Sequence, residues 1–284
     1  MKRALILAIC ALAGLAPGWA GTLVQFRTGF GSIVVELYDQ DKPVTVSNFL
    51  HYVQSGRFQN GIIHRCVPSF VIQGGGFFVN NIQTSPQIEP ISVFGAIADE
   101  FNSGRRFSNL YGTIAMAKVS GNTNSATSQW FFNLTDNAFL DTADTNDLFA
   151  VFGHVVSGTN VLNVFNTFSS TAATNVVVDA TQSLGDGNFA ALPLRTPHLT
   201  VGDLIFVDIS VLDPIKAQAK LGTNGTPVIT WNTSTNAIYH LETATNLPPV
   251  WQTLTVTNGT GAVIQVTDTN RNSGQRFYRV SAGY

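Results

Sequence analysis

The run I-I-H-R-C-V-P-S-F-V-I-Q-G-G-G-F, residues 62–77, constrains this chain more than any other stretch. It is apolar and β-branched at Ile62, Ile63, Val67, Val71 and Ile72, so it predicts two short strands. Pro68 interrupts them and marks a bend, because proline cannot donate to a central ladder. Gly74, Gly75 and Gly76 then permit a turn that side-chain-bearing residues resist. Three polar side chains, His64, Arg65 and Gln73, stand in this apolar frame and need partners. A guanidinium is almost never fully buried unpaired. Arg65 therefore either lies on a salt bridge or faces a cleft where a ligand takes its hydrogen bonds.

Residues 1–20 combine a basic start (Lys2, Arg3), an apolar run over 4–16 and the small residues of a cleavage site in Gly18-Trp19-Ala20. That pattern predicts a secretory signal peptide, too short to span a bilayer comfortably. A lipid anchor at Cys10 is the alternative, and Ile9 stands where a small residue would precede it. No other membrane-length apolar run follows. Without Lys2 and Arg3, the 15 basic residues become 13 against 17 acidic ones, a net charge near −4. This argues against a nucleic-acid partner, which needs a basic face. The expected product is exported, to the periplasm, the medium or the cell surface. Cys66 is then its sole cysteine, so no intrachain disulfide can form, and a buried structural thiol is expected.

Along the chain, residues 22–28 and 32–38 alternate like strands around Gly29-Phe30-Gly31, a hairpin. Pro43 opens a helix over 44–54 with Val46, Phe49, Leu50 and Val53 on one face. Residues 80–97 read as an irregular surface loop, 129–134 as a buried strand, and 160–166 as a second helix. The acidic loop 141–147 lacks the spacing and glycine of a calcium loop and reads as a solvated turn. Residues 169–192 read as a surface insertion, and 204–212 as the closing strand. A boundary falls at Asp213-Pro214, with a linker over 214–224. Residues 225–284 alternate short strands with turns, a small all-β module of sandwich type.

Three blocks carry a resemblance: H-R-x-x-P-x-F-x-x-Q-G-G from His64, Y-G-T-I-A-M-A-K (111–118) with N-S-A-T-S-Q-W-F-F-N (124–133), and D-N-A-F-L-D (136–141) with F-A-V-F-G-H-V (149–155). In this order and spacing they resemble the cyclophilins, the peptidyl-prolyl cis-trans isomerases, over roughly residues 22–212. The resemblance implies a mainly β fold, a closed antiparallel barrel capped by two helices over residues 21–213. It places the catalytic arginine at Arg65, with Gln73 orienting it and the substrate. It implies a proline pocket of Phe70, Val71, Met116, Phe131 and Leu140, with Phe149 where the family carries His or Tyr. Gln129 and Phe139 belong to the same implied substrate site. Backbone contacts to the peptide come from Ala117 and Lys118, the latter standing where Asn or Arg is usual. Taken singly, these apolar residues read equally well as core; their joint appearance with Arg65 and Gln73 makes a pocket.

The implied reaction rotates an X-Pro amide against a barrier of about 18–20 kcal/mol. It needs no nucleophile, metal or cofactor, and because no proton moves, His64 is expected to be structural. A hydrolase triad lacks its G-x-S-x-G elbow, and His51, His64, His154, His198 and His240 show no metal-ligand spacing. The competing reading is a non-catalytic module that holds proline-containing segments or displays the chain at a cell surface. The expected partners are proline-containing polypeptides, and the chain is expected to be a monomer. Cyclosporin binding is expected to be weak, because Phe139 stands where tight-binding members carry tryptophan.

Overall fold

The computed structural model describes residues 21–142, 148–213, 215–222, 225–235, 237–270 and 275–283. The expected signal peptide, most of the acidic loop at 143–147 and parts of the expected linker lie outside these residues. Two compact units result, Gly21–Val211 and a C-terminal one beginning at Leu212.

Alternating L-V-Q-F-R-T and G-S-I-V-V-E-L form an antiparallel hairpin, β1 (Leu23–Thr28) and β2 (Gly31–Leu37), in register Val24↔Val35 and Phe26↔Ile33. These four side chains share one face and are buried. Helix α1 (Pro43–Gln54) begins on a proline, whose missing N–H costs nothing in a first turn. Its buried stripe is Val46, Phe49 and Tyr52. The first-turn N–H groups of Val44 and Thr45 donate to the Glu100 carboxylate at 3.1 and 2.7 Å. Lys42, also buried, donates from Nζ to the carbonyls of Glu100 and Ser103.

The following strands are β3 (Gly61–Ile62), β4 (Arg65–Val67), β5 (Val71–Gly74), β6 (Phe77–Asn80), β7 (Gln87–Pro90), β8 (Thr113–Met116), β9 (Trp130–Asn133) and β10 (Val151–Ser157). Then come α2 (Thr159–Phe165), β11 (Val176–Val178), α3 (Thr181–Leu184), β12 (Leu192–Leu194) and β13 (Phe206–Val211). Eleven strands make one antiparallel sheet in the order β4-β5-β9-β8-β10-β2-β1-β13-β3-β6-β7. It is a strongly curled half-barrel, and this corrects the expected closed barrel. Its end strand β4 is three residues long and stops at Pro68, while the Cys66 N–H is taken by the Ala191 carbonyl at 2.8 Å. A covering segment thus protects an edge that closure would otherwise remove. Among the described residues three helices accompany the sheet, not the expected two.

The main core lies against its concave side, where Phe26 meets Trp130 and Phe132 edge-on, each at 5.0 Å. Two regions read as loops are structured. Within 80–97, β7 pairs with β6 from Phe77↔Pro90 to Asn80↔Gln87. The expected insertion at 169–192 buries Val176, Ala180, Phe189 and Leu192 with Ile62, Phe77, Val79 and Leu204 in a second core. Its elements are three or four residues long, too short to show a period, and three of their four apolar partners, Ile62, Phe77 and Val79, lie about 100 or more positions earlier in the chain.

In the C-terminal unit, β14 (Ala217–Leu221), β15 (Pro227–Asn232) and β18 (Val263–Thr267) form one sheet. β16 (Ile238–Ala244), β17 (Gln252–Asn258) and β19 (Phe277–Gly283) form another. Ile229 and Trp231 from the first sheet share a buried cluster with Tyr239 and Leu241 from the second, as a sandwich requires. Strand β14 falls inside the stretch expected to be a linker and corrects that expectation. A-Q-A-K-L carries no β-branched residue, and it is a strand because β15 pairs with it from Ala217↔Trp231 to Leu221↔Pro227.

Candidate active site

Side chains alternate across a strand, so register decides which residues meet. Arg65 on β4 pairs with Gln73 on β5, Gln73 with Phe131 on β9, and Phe131 with Ala115 on β8. These four form a row across the sheet on the side away from the main core. The adjacent row, Cys66, Ile72, Phe132 and Ile114, points into that core. On the outer side Val71, Ala115, Phe131, Leu140 and Val151 make a separate buried cluster with Phe70, Ala117 and Phe149 packed on it.

A cleft of about 240 Å³ opens over this cluster, lined by Arg65, Phe70, Val71, Gln73, Ala117, Lys118, Phe131, Leu140 and Phe149. The structure thus brings nine of the twelve sequence-predicted site residues together. The other three stand elsewhere. Met116 is 3% exposed and belongs to the main core, a correction that follows from strand parity: Ala115 and Ala117 pack in the outer cluster, so Met116 faces away. Gln129 lies outside the lining and accepts a 2.7 Å hydrogen bond from Gln73 Nε2. Phe139 is 54% exposed and stacks on Phe70 with ring centroids 5.8 Å apart, beside the cleft and not within its lining.

The Arg65 guanidinium is half-buried, and burial presses its pKa down from the ordinary arginine value. Its one aromatic neighbour among the described contacts is the Phe70 ring at 5.8 Å. No salt bridge or side-chain hydrogen bond joins it to any described residue, so its donors are available to a ligand. Of the two alternatives for Arg65, the structure takes the cleft.

His64 is fully buried, and neither ring nitrogen has a hydrogen bond of ordinary geometry. Burial pushes its pKa down to about 4; the neighbouring Gln129 side chain raises it in part, and the Arg65 charge lowers it further. It is a neutral, packed ring, edge-on to Phe77 at 5.1 Å. Cys66 is buried on the core side, where burial pushes its thiol up to about 12, so it is no thiolate. Gly75 has φ +75°, and a Cβ there would sit 2.5 Å from the Ser128 carbonyl oxygen, so only glycine lets this turn close on the next strand.

Sequence reasoning missed the polar frame that holds the walls. Asn109, Asn133 and Asn137 are buried. Asn133 Nδ2 donates to Asn109 Oδ1 at 3.0 Å, and Asn137 Nδ2 to Asn133 Oδ1 at 2.8 Å. Asn137 also donates to the Phe70 carbonyl, and Asn109 to the Phe149 carbonyl and to Asp141. Two walls of the cleft, at Phe70 and Phe149, therefore hang on one hydrogen-bonded network. Asparagine reads as turn chemistry in a sequence, and nothing in the spacing of these three distinguishes them.

Residues 23–182 match the model of the family "Cyclophilin type peptidyl-prolyl cis-trans isomerase/CLD". The chain belongs to this family. A peptidyl-prolyl cis-trans isomerase of Acinetobacter baylyi is 39% identical over 144 residues, 51% of this chain and 71% of that protein. Peptidyl-prolyl cis-trans isomerase A of Dickeya dadantii is 40% identical over 163 residues, 56% of this chain and 80% of the relative. Among solved structures, a cyclophilin-type isomerase of Cryptosporidium parvum, crystallised in the presence of the dipeptide Ala-Pro, is 21% identical. It covers 68% of this chain and 99% of its own, with a TM-score of 0.46. The cyclophilin match lies within the first unit. Among the described residues no helix is long and apolar enough to cross a membrane, and no three His, Cys, Asp or Glu side chains cluster as metal ligands.

Proposed function

We propose that this cyclophilin-type isomerase accelerates X-Pro rotation in exported polypeptides, with Arg65 as the donor to the prolyl nitrogen. As the amide twists, its resonance is lost and a lone pair appears on that nitrogen. A donor fixed in an apolar cleft stabilises the twisted state more than the planar one, and only that difference accelerates the reaction. The observation that carries this reading is the half-buried guanidinium at the 240 Å³ cleft, with no hydrogen-bond or ion-pair partner among the described residues. Val71, Phe131, Leu140 and Phe149 offer the pyrrolidine ring an apolar seat while the preceding carbonyl turns. Gln73, held by Gln129, keeps the polar edge of the cleft ordered. The signal-like pattern of residues 1–20 supports export, and detection of the chain beginning at Gly21 outside the cytoplasm would test it.

The test is isomerisation of a proline tetrapeptide by the wild type and by Arg65→Ala. The variant should fold and lose at least about a hundredfold in kcat/KM, the usual order for removing one transition-state donor. Near-wild-type turnover in a folded Arg65→Ala protein would refute the role. Cyclosporin should bind weakly to the monomeric protein, because the half-exposed Phe139 has the apolar ring without an indole N–H donor. Titration calorimetry against Phe139→Trp checks this; nanomolar binding by the wild type would contradict it.

A further inference from the structure

Lys118 lines the cleft, yet its charge is not offered to a ligand. The side chain is 1% exposed, and Nζ lies 3.0 Å from Asp99 Oδ2 and donates to the Leu148 carbonyl. The same ammonium stands 5.3 Å from the centroid of the Phe149 ring, the wall that follows Leu148. Asp99 is itself fixed from two sides. Its Oδ1 accepts the Phe101 N–H at 2.8 Å, and its own N–H donates to Asn124 Oδ1 at 2.8 Å. The next residue, Glu100, is locked onto the first turn of α1.

A buried ion pair is a weak source of stability, since an apolar side chain of equal length fills the same space without desolvating two charges. What the ammonium adds is direction. It ties the end of β8 to the Leu148 carbonyl and so fixes the distance between the Ala117 and Phe149 sides of the cleft. Among the described residues Phe149 is otherwise held by its N–H to Leu140 at a long 3.4 Å, by its carbonyl to Asn109 Nδ2 at 3.1 Å, and by an edge-on contact of its ring with Phe131 at 5.5 Å. None of these reaches across the cleft mouth to the Ala117 side.

We propose that Lys118, anchored by Asp99, is a positioning residue that holds the Leu148–Phe149 wall and thereby sets the cleft's selectivity for the five-membered ring of proline. This rests on the reading of the cleft as the prolyl site. The wall's position matters most for ring size: loosening it weakens the fit of proline and relaxes the exclusion of the six-membered homologue, pipecolic acid.

The experiment compares kcat, KM and kcat/KM of the full chain on a prolyl tetrapeptide and its pipecolyl counterpart, for wild type, Arg65→Ala, Lys118→Met, Lys118→Arg and the double variant Lys118→Met/Asp99→Asn. Lys118→Met should lower prolyl kcat/KM about tenfold, mostly through KM, which is about 1.4 kcal/mol of lost binding. It should narrow the prolyl-to-pipecolyl ratio at least threefold, an order that small changes in ring fit reach. Lys118→Arg, which keeps a donor for both Asp99 and Leu148, should restore the ratio. If Lys118→Met alone leaves Asp99 unpaired and the chain unfolds, the double variant carries the same expectation. A folded variant that loses activity equally on both rings, or keeps the wild-type ratio, overturns the inference. If the wild type is active and Arg65→Ala is not, that failure touches Lys118 alone. A wild type inactive on both peptides overturns the prolyl-site reading and this inference with it.

Discussion

Two rows of side chains lie next to each other on β4, β5, β9 and β8 and have opposite uses. Cys66, Ile72, Phe132 and Ile114 are at most 1% exposed and pack into the aromatic core around Phe26 and Trp130. Arg65, Gln73 and Phe131, one residue away on each strand, line a cleft, and Ala115 in the same row is buried in the outer cluster. Backbone and register are shared; only side-chain parity differs. The inner row satisfies itself through packing, while the outer row leaves a guanidinium without a hydrogen-bond or ion-pair partner among the described residues. Stability and chemistry are thus separated by one residue step, and substitutions in the two rows should separate them experimentally.

The largest effects come from exchanging one row for the other. Phe132→Ala removes a buried ring and should cost about 3–5 kcal/mol of stability by denaturant titration, with kcat/KM per folded molecule near wild type. Arg65→Ala should do the reverse: activity falls at least about a hundredfold, and stability changes by less than about 1 kcal/mol because no ion pair is lost. If Phe132→Ala cut activity in the folded state as deeply as Arg65→Ala, the two rows would not be separable and the comparison would fail.

Part of this division is visible in the sequence and part is not, for physical reasons. The β1–β2 hairpin and α1 follow from period and punctuation, and the helix start at Pro43 shows in the residues themselves. Arg65 stands out because a guanidinium in an apolar run needs an outlet, while Gln73 and Phe131 join it through the cyclophilin resemblance. The cyclophilin resemblance puts Met116 in the pocket, whereas the alternation of Ile114, Ala115, Met116 and Ala117 carries the correct parity. Ala115, buried in the outer cluster, has too small a side chain to draw notice. The Asn109–Asn133–Asn137 network and the second core of residues 176–194 depend on long-range partners, and no local pattern encodes those. Closure of the sheet was also beyond local reading, because the Ala191 carbonyl that covers β4 arrives from 125 positions away.

A smaller effect should come from His64, which adjoins the outer row yet is sealed like the inner one. Its folded pKa of about 4 lies below the ordinary histidine value of 6.5. Between those two values the unfolded chain binds more protons than the folded one. Stability is therefore complete above pH 6.5 and declines as pH falls toward 4, by at most about 3 kcal/mol for this group. His64→Phe should flatten that part of the pH–stability curve. An unchanged slope in the variant would show that His64 is not the group responsible. The isomerase rate should stay level across the same window while the protein remains folded, because Arg65 keeps its charge and no proton is transferred.

The smallest effect on chemistry should come from removing the C-terminal unit. Every residue lining the cleft lies between Arg65 and Phe149. The three apolar clusters of the first unit include nothing beyond Ile209, and the C-terminal cluster includes nothing before Ile215. A chain ending at Asp213 keeps β13 whole, with its pairing to β1 from Val24↔Val211 to Thr28↔Val207. It also keeps the Ile62↔Phe206 pair that joins β13 to β3 next to the cleft-bearing run. The shortened chain should therefore be soluble, with kcat/KM on a tetrapeptide within about twofold of the full chain, the scale of substitutions away from packed features. The removed unit, about 70 residues without a disulfide, is small enough to be only marginally stable by itself. Its melting should appear as a separate, lower transition in calorimetry of the full chain. A shortened chain that unfolds, or folds with tenfold lower activity on the small peptide, would mean that the last strands belong to the catalytic core. The division between a stabilising and a chemical face would then have to be redrawn to include them.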